Sequence, residues 1–378
     1  MAAEVVILGG GVGGTIVANL VAKKSSGNAH VTVVDATGTH VYQPGFLYVA
    51  VGKEQPSSLQ RDETSLLRND VTLVVDRAVR VDPVARTVQL ESGRTLRYEQ
   101  LLLATGSRTV MDEVPGAKDV HDFYTMEGAI RLFEALKGFE GGTIVIGVAG
   151  IPYKCPPAPV EFVFLLDDYL RARGIREKTQ IKLLSPLNRA FTIEATSKLV
   201  QPILAERGIE LTGFFNVESV DPVAKTVSSL EGETMDYDLL VLVPPHRGQK
   251  VIELSVLGDE RGWVPVDKNT LKHTTFEHIW AVGDTTNIPI SKSGSVAHYE
   301  ASVAADAILA EVKGEAPPKH TYDGKVMCFL ETGHGEATTI QFDYDHPPVS
   351  PTPARRWHWA KALFNKTYWH TVPQGRLP

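Results

Sequence analysis

The sequence predicts an α/β protein with two parallel-sheet domains, each carrying a β-meander crossover, and a small C-terminal segment. Three observations lead there. Glu4–Leu8 is a short apolar run that feeds a glycine cluster, then a helical stretch, then a second apolar run. Thr143–Gly147 repeats the strand-into-glycine pattern further along the chain. The segments Val79–Val88 and Val217–Val227 share the pattern V-x-x-V-D-P-V-A-[RK]-T-V in kind. Such an internal echo marks two similar modules.

The first strand, Glu4–Leu8, enters Gly9-Gly10-Gly11-Val12-Gly13-Gly14, a G-x-G-x-x-G with Gly9, Gly11 and Gly14 in register. A helix over Thr15–Lys24 and a strand over Val31–Val34 ending at Asp35 complete a Rossmann-like unit. Gly9 permits the tight turn, Gly11 lets a pyrophosphate approach the backbone, and Gly14 lets helix and strand pack closely. The helix N-terminus adds free N–H groups and partial positive charge. Asp35, 21 residues past Gly14, is placed to accept ribose hydroxyls and to repel a 2′-phosphate. These pieces in this order predict a bound dinucleotide.

Val71–Val75, Ala78–Asp82 and Thr87–Leu90 read as short strands of a meander that turns at Asp-Pro. Leu101–Ser107 reads as a strand ending in Ala104-Thr105-Gly106, and Thr275–Asp284 as a strand ending in Gly283-Asp284. With the N-terminal glycines, these segments resemble the FAD-binding segments of the two-dinucleotide-fold flavoprotein disulfide reductase superfamily. The resemblance implies FAD, with Asp284 on its ribityl chain. Gln43, Val79, Ala104, Thr105, Gly106, Gly283, Lys292 and Gly294 join Gly9, Gly11, Gly14 and Asp35 as the cofactor-binding set.

The chain divides as 1–113, the first half of the FAD unit; 114–243, a second Rossmann-like unit; 244–316, the second half of the FAD unit; and 317–378, the C-terminal segment. In the second unit the nucleotide loop is altered. Gly147-Val148-Ala149-Gly150-Ile151-Pro152-Tyr153-Lys154-Cys155-Pro156-Pro157 lacks a glycine at the close-packing position. Its prolines have no N–H to offer a phosphate. The following helix, read over Glu161–Arg173, starts too late to cradle one. A nicotinamide nucleotide is disfavoured there, and Cys155 takes its place.

The chain has two cysteines, Cys155 and Cys328, 173 positions apart. No second cysteine or histidine at ligand spacing accompanies either, so no metal site is expected. The C-P-P-x-P loop followed by Glu161 resembles the sulfide:quinone oxidoreductase and flavocytochrome c sulfide dehydrogenase family. The match extends to His40–Phe46, Ser291–His298 and Lys325–Glu331, nearly the whole chain. It implies that Cys155 and Cys328 form a redox pair beside the flavin, that sulfide is the donor and that a quinone is the acceptor. Two departures are visible. Val120–Thr125 lacks the third cysteine many of these oxidoreductases carry, which leaves a two-cysteine version. Tyr42–Gly52 lacks the tethering cysteine of the flavocytochromes, so the FAD is expected to be non-covalent.

Glu161 matches a family glutamate and is the candidate acid–base group; a carboxylate that only complements the helix dipole is the alternative. Lys154, next to Cys155, is a candidate for lowering the thiol's pKa. His298 reads as a partner to flavin or quinone, or as a core histidine. Other enzyme classes remain open on the residues alone. A type II NADH:quinone oxidoreductase would need an intact second glycine motif. A sulfane-sulfur carrier or redox sensor would keep the flavin without quinone turnover.

Net charge −7 argues against nucleic acid as a partner. No run approaches the ~18 apolar residues of a spanning helix. The N-terminus enters a strand directly, and no signal peptide is expected. Ala354–Trp369 mixes arginines and lysines with tryptophans, and a helix there would put Trp357, Ala360 (or Lys361), Phe364 and Tyr368 on one face, with Arg355, Arg356, Lys361 and Lys366 within reach of headgroups. This fits an interfacial helix and predicts peripheral membrane association on the cytoplasmic side; docking of that face on the protein itself is the alternative. A homo-oligomer is left open.

Overall fold

A computed structural model describes residues 2–376; the outer bounds of the first and last segments, Met1 and Pro378, lie outside them. The first sheet has five parallel strands in the order Ile279–Ala281, Gln100–Leu103, Ala3–Leu8, Ala29–Asp35, Val71–Val75. Val5, Ile7, Leu101, Leu102 and Leu103 are fully buried, as strands covered on both faces require. The helix Val12–Ser25 follows the first strand and packs along the long helix Gly294–Lys313. A second parallel sheet runs Ile209–Thr212, Thr179–Leu184, Gly142–Val148, Leu239–Val243.

Each sheet has its own three-stranded meander, Ala78–Asp82 with Thr87–Leu90 and Thr95–Arg97, and Val217–Asp221 with Thr226–Ser229 and Thr234–Asp236. The sequence echo reappears in their geometry. Asp82 accepts the N–H groups of Val84 and Ala85, and Asp221 those of Val223 and Ala224. Four residues past each aspartate, Arg86 and Lys225 both take the left-handed conformation at φ 55°. Both meanders also shift register at the same place, between Ala78 and Arg80 and between Val217 and Ser219.

Several sequence boundaries need correction. Val71–Val75 is not a meander strand; it closes the edge of the first sheet, and Thr95–Arg97 takes the meander position. Thr275–Asp284 is a strand only over Ile279–Ala281, because Gly283–Thr285 turns as a 3₁₀ segment. The helix read from Thr15 begins at Val12. The long helix Gly294–Lys313 is capped by the Ser293 hydroxyl and carries His298 within it. The helix read from Glu161 begins at Ala158, where prolines set the φ that a first turn needs.

The C-terminal segment forms an antiparallel hairpin, Val326–Gly333 with Glu336–Phe342, and the tail helix Arg355–Thr371. The helix does not point its Lys361–Tyr368 face outward. Lys361 and Tyr368 are buried. Tyr368 donates to or accepts from His40 Nε2 at 2.8 Å, and the Asn19 side chain donates to the Pro373 carbonyl just beyond the helix. The outward face instead carries Arg355, Arg356, Trp359, Leu363 and Lys366.

Candidate active site

The glycine loop is shaped around close backbone approaches. Gly9 sits at φ +106°, and a Cβ there would stand 2.4 Å from the Ala104 carbonyl oxygen. A Cβ on Gly14 would fall 1.9 Å from the Gly9 carbonyl oxygen, so helix and strand tolerate only hydrogen at that position. Gly11 differs: space beside it is open, and it precedes a helix with no side-chain cap. Open space and uncapped N–H groups at a helix start fit an anionic pyrophosphate. The Asp35 carboxylate accepts the N–H groups of Gly10, Thr37 and Gly38 at 2.8–2.9 Å. Burial works against its charge, and these backbone donors outweigh it, holding Asp35 below the usual carboxylate range.

Across the cleft, Thr105 Oγ1 and Thr285 Oγ1 lie 3.1 Å apart, and the sites beside Gly106 and Gly294 are open. Lys292 Nζ donates to the carbonyls of Asp284 and Thr286 and stands 3.9 Å over the Trp263 ring. It therefore braces the Gly283–Asp284 turn from behind. Burial raises the Asp284 carboxyl, opposed by Lys154 and Lys292. Val79 stands in the bulge of the first meander, half-buried.

Cys155 lies three residues ahead of the helix Ala158–Ala172, in a left-handed conformation at φ 52°. Its N–H donates to the Lys292 carbonyl at 2.6 Å, which ties the redox loop to the cofactor segment. A non-glycine residue at positive φ is held there by its surroundings. Cys328 is on the hairpin strand, 3.7 Å from Ser295 Oγ. Both are free, half-buried thiols. Burial pushes Cys155 up, and the neighbouring Cys328 and Glu161 push it further. Burial also raises Cys328, against hydrogen bonds from Ser295 and Ser293. The structure thus brings Cys155, Cys328 and Glu161 within one another's fields.

Lys154 turns its ammonium to Gln43 Oε1 at 2.9 Å and lies within the field of Cys155, yet burial dominates and the thiol is raised overall. The cation that acts on both thiols is Lys361 from the tail helix, which forms a buried ion pair with Glu161. Burial holds Glu161 above the ordinary carboxylate range despite that partner. Around the pair, Tyr48 donates to Glu331 Oε1 at 3.2 Å, and His358 Nδ1 lies 3.0 Å from Glu331 Oε2. Sequence reading missed Tyr48, Glu331 and His358, and placed Lys361 on a membrane-facing helix face instead of at this site. Only the spacing of His358 and Lys361 on one helix face hinted that they act together.

Residues 3–305 match the family model described as pyridine nucleotide-disulphide oxidoreductase. The chain belongs to the pyridine nucleotide-disulphide oxidoreductase family. It is an oxidoreductase, and the cradle of Gly9, Gly11, Gly14, Asp35 and Asp284 fits FAD. Among curated relatives, a mitochondrial sulfide:quinone oxidoreductase of Mus musculus is 28% identical over 362 residues, covering 93% of this chain and 80% of that protein. A Dictyostelium discoideum protein of the same name is 28% identical over 391 residues, with 99% and 86% covered. The crystal structure of the sulfide:quinone oxidoreductase from Aquifex aeolicus superposes with a TM-score of 0.88 at 24% identity, over 100% of this chain and 93% of that one.

Proposed function

We propose that this family member is an FAD-dependent sulfide:quinone oxidoreductase of a two-cysteine type. One observation carries the reading: Cys328 on the hairpin strand, distant in sequence, lies within the electrostatic field of Cys155, which sits on a loop whose prolines replace a nicotinamide-binding turn. The names of the full-length relatives support it. Segments 1–113 and 244–316 hold the cofactor in this reading, 114–243 carries Cys155, and 317–378 carries Cys328 and the tail.

The chemistry follows from the two sulfurs. In the oxidised state they share an S–S bond. HS⁻ attacks Cys155 Sγ, a new S–S bond forms to the incoming sulfur, and the old bond breaks with its electron pair on Cys328. The Ser295 and Ser293 hydroxyls are placed to stabilise that thiolate. Glu161 is the group at hand to take the proton from the persulfide sulfur. When bound, FAD supplies the two-electron acceptor between the thiol pair and a quinone. Gln43, Lys154 and Lys292 orient the cleft between them.

Quinone access places the enzyme at a bilayer surface. No helix among the described residues is long and apolar enough to cross a membrane. The exposed Trp359 and Leu363, flanked by Arg355, Arg356 and Lys366, supply a peripheral docking face. The deciding experiment is anaerobic: purified holoprotein is mixed with sulfide, and the flavin absorbance is followed. Bleaching by sulfide and reoxidation by a soluble quinone are expected. Flavin that stays oxidised with sulfide but bleaches with NADH sinks the proposal.

A further inference from the structure

We propose that Tyr368, on the tail helix, is a positioning residue for FAD. Through His40, Glu63 and Thr15 it holds the glycine loop in its binding form, so tail docking and FAD binding favour each other. The inference goes beyond the sulfide reading: it needs only the cofactor cradle and holds whatever the electron donor.

Every link is a hydrogen-bond contact. Thr15 stands in the first turn of the helix Val12–Ser25, and its hydroxyl donates toward the carbonyls of Gly10 and Gly11 at 3.1 and 2.9 Å. The same Oγ1 lies 2.6 Å from Glu63 Oε1. Glu63 Oε2 is 3.0 Å from His40 Nδ1, and His40 Nε2 is 2.8 Å from the Tyr368 hydroxyl. Glu63 also packs against the loop: a Cβ on Gly10 would stand 3.0 Å from its carboxyl carbon. Thr15, His40 and Glu63 are fully buried and Tyr368 is 2% exposed, so a partner lost within the docked structure leaves a buried polar atom unpaired. A second contact runs beside the first. The Asn19 side chain, on the same helix as Thr15, donates to the carbonyls of Leu66 and Pro373, both at 2.9 Å.

The coupling follows from what each state of the tail leaves in place. With the tail docked, His40 is held at both ring nitrogens and fixes the Glu63 carboxyl, which in turn fixes Thr15 and the side of the loop at Gly10. With the tail undocked, His40 Nε2 opens to water, and Glu63 and Thr15 lose the contact that sets their positions. A pyrophosphate needs the N–H groups at the helix start in place, so FAD binds the docked form better. By linkage, FAD favours the docked tail by the same factor.

The test uses the full-length chain, stripped of FAD and reloaded, and needs no sulfide. Arg355, Arg356, Lys361 and Lys366 make the tail helix a trypsin substrate once it opens. In the wild type, saturating FAD is expected to slow release of the C-terminal peptide about tenfold, under digestion that leaves the rest of the chain intact. Tyr368→Phe keeps the ring, whose centre is 4.4 Å from that of Tyr42, and removes only the hydroxyl. It should bind FAD about tenfold more weakly in titrations of the apoprotein, and FAD should protect its tail correspondingly less. A purely structural role would lower the melting temperature of apo and holo forms alike and leave FAD affinity at the wild-type value. Equal tail cleavage with and without FAD in the wild type overturns the proposal, and so does wild-type FAD affinity in Tyr368→Phe. If that variant does not fold, the wild-type cleavage ratio alone decides. Bleaching by sulfide enters no arm, so the sulfide reading stands or falls separately.

Discussion

Lys361 and Glu161, 200 positions apart, form a buried ion pair beside both cysteines. Neither partner is free to rehydrate, so removing one strands the other. Lys361→Met keeps the aliphatic stem and removes the charge. It should cost about 3–5 kcal/mol of unfolding free energy at neutral pH, read by denaturant titration. The deficit should shrink as pH falls, because a protonated Glu161 no longer carries an unpaired charge. Replacing both residues with apolar ones of similar volume should recover most of the loss.

That pair also marks where sequence stops being informative. The glycine loop, Asp35 and the Asp-Pro turns were legible because their physics is local: a few adjacent residues fix the turn and its hydrogen bonds. The altered loop at Cys155 was legible for the same reason, since prolines cannot donate. Lys361 was read as part of an outward face because helix periodicity tells which residues share a face, not which surface that face meets. Its inward direction is decided by Glu161 and by His40, which bonds Tyr368, and neither lies near it in sequence. Val71–Val75 was misassigned similarly, as an apolar run fits an edge strand and a meander strand equally well.

The paired role of the cysteines makes a sharper demand. Cys155→Ser and Cys328→Ser should each retain FAD and dithionite reduction, yet lose flavin bleaching by sulfide to background. Thiol counting under denaturing conditions should find two thiols in the reduced protein and none after mild oxidation. A single-cysteine variant that still bleaches at the wild-type rate would break the pair.

Gly11 and Gly14 should fail in different ways. A methyl on Gly14 collides with the Gly9 carbonyl oxygen at 1.9 Å, so Gly14→Ala must displace backbone and lower the melting temperature of the apoprotein. The position beside Gly11 is open. Gly11→Ala should leave apoprotein melting unchanged and weaken FAD binding about tenfold or more, because the methyl enters the pyrophosphate's space. Titration of apoprotein with FAD separates the two.

Glu300 lies fully buried beneath the cofactor turn, where it accepts the Gly283 N–H. Burial pushes its carboxyl up to about 8; the Gly283 donor opposes this and nearby Asp284 adds to it. Between the ordinary value of 4.5 and about 8 the folded protein holds a proton that the unfolded chain has released. Stability from this group is therefore full below pH 4.5 and lost as pH rises toward 8, by about 1.4 kcal/mol per unit at the steepest. Glu300→Gln keeps an acceptor for Gly283 and cannot titrate. Its unfolding free energy should decline less than that of the wild type between pH 5 and 8, and parallel curves would refute the assignment.

The two faces of the tail helix, the inner one docked on the protein and the outer one proposed to meet a membrane, can be tested apart. Its inner face is anchored by Lys361 and Tyr368, while Trp359 and Leu363, 69% and 63% exposed, lie one turn apart on the outer face. Arg355, Arg356 and Lys366 flank them within reach of anionic headgroups. Trp359→Ala with Leu363→Ala removes apolar area without touching the inner contacts. The double variant should bleach with sulfide at the wild-type rate in solution and reduce a soluble short-chain quinone normally. It should lose co-sedimentation with vesicles containing anionic lipid, and turnover with a long-chain quinone embedded in them should fall with it. Unchanged sedimentation would overturn the proposed docking face.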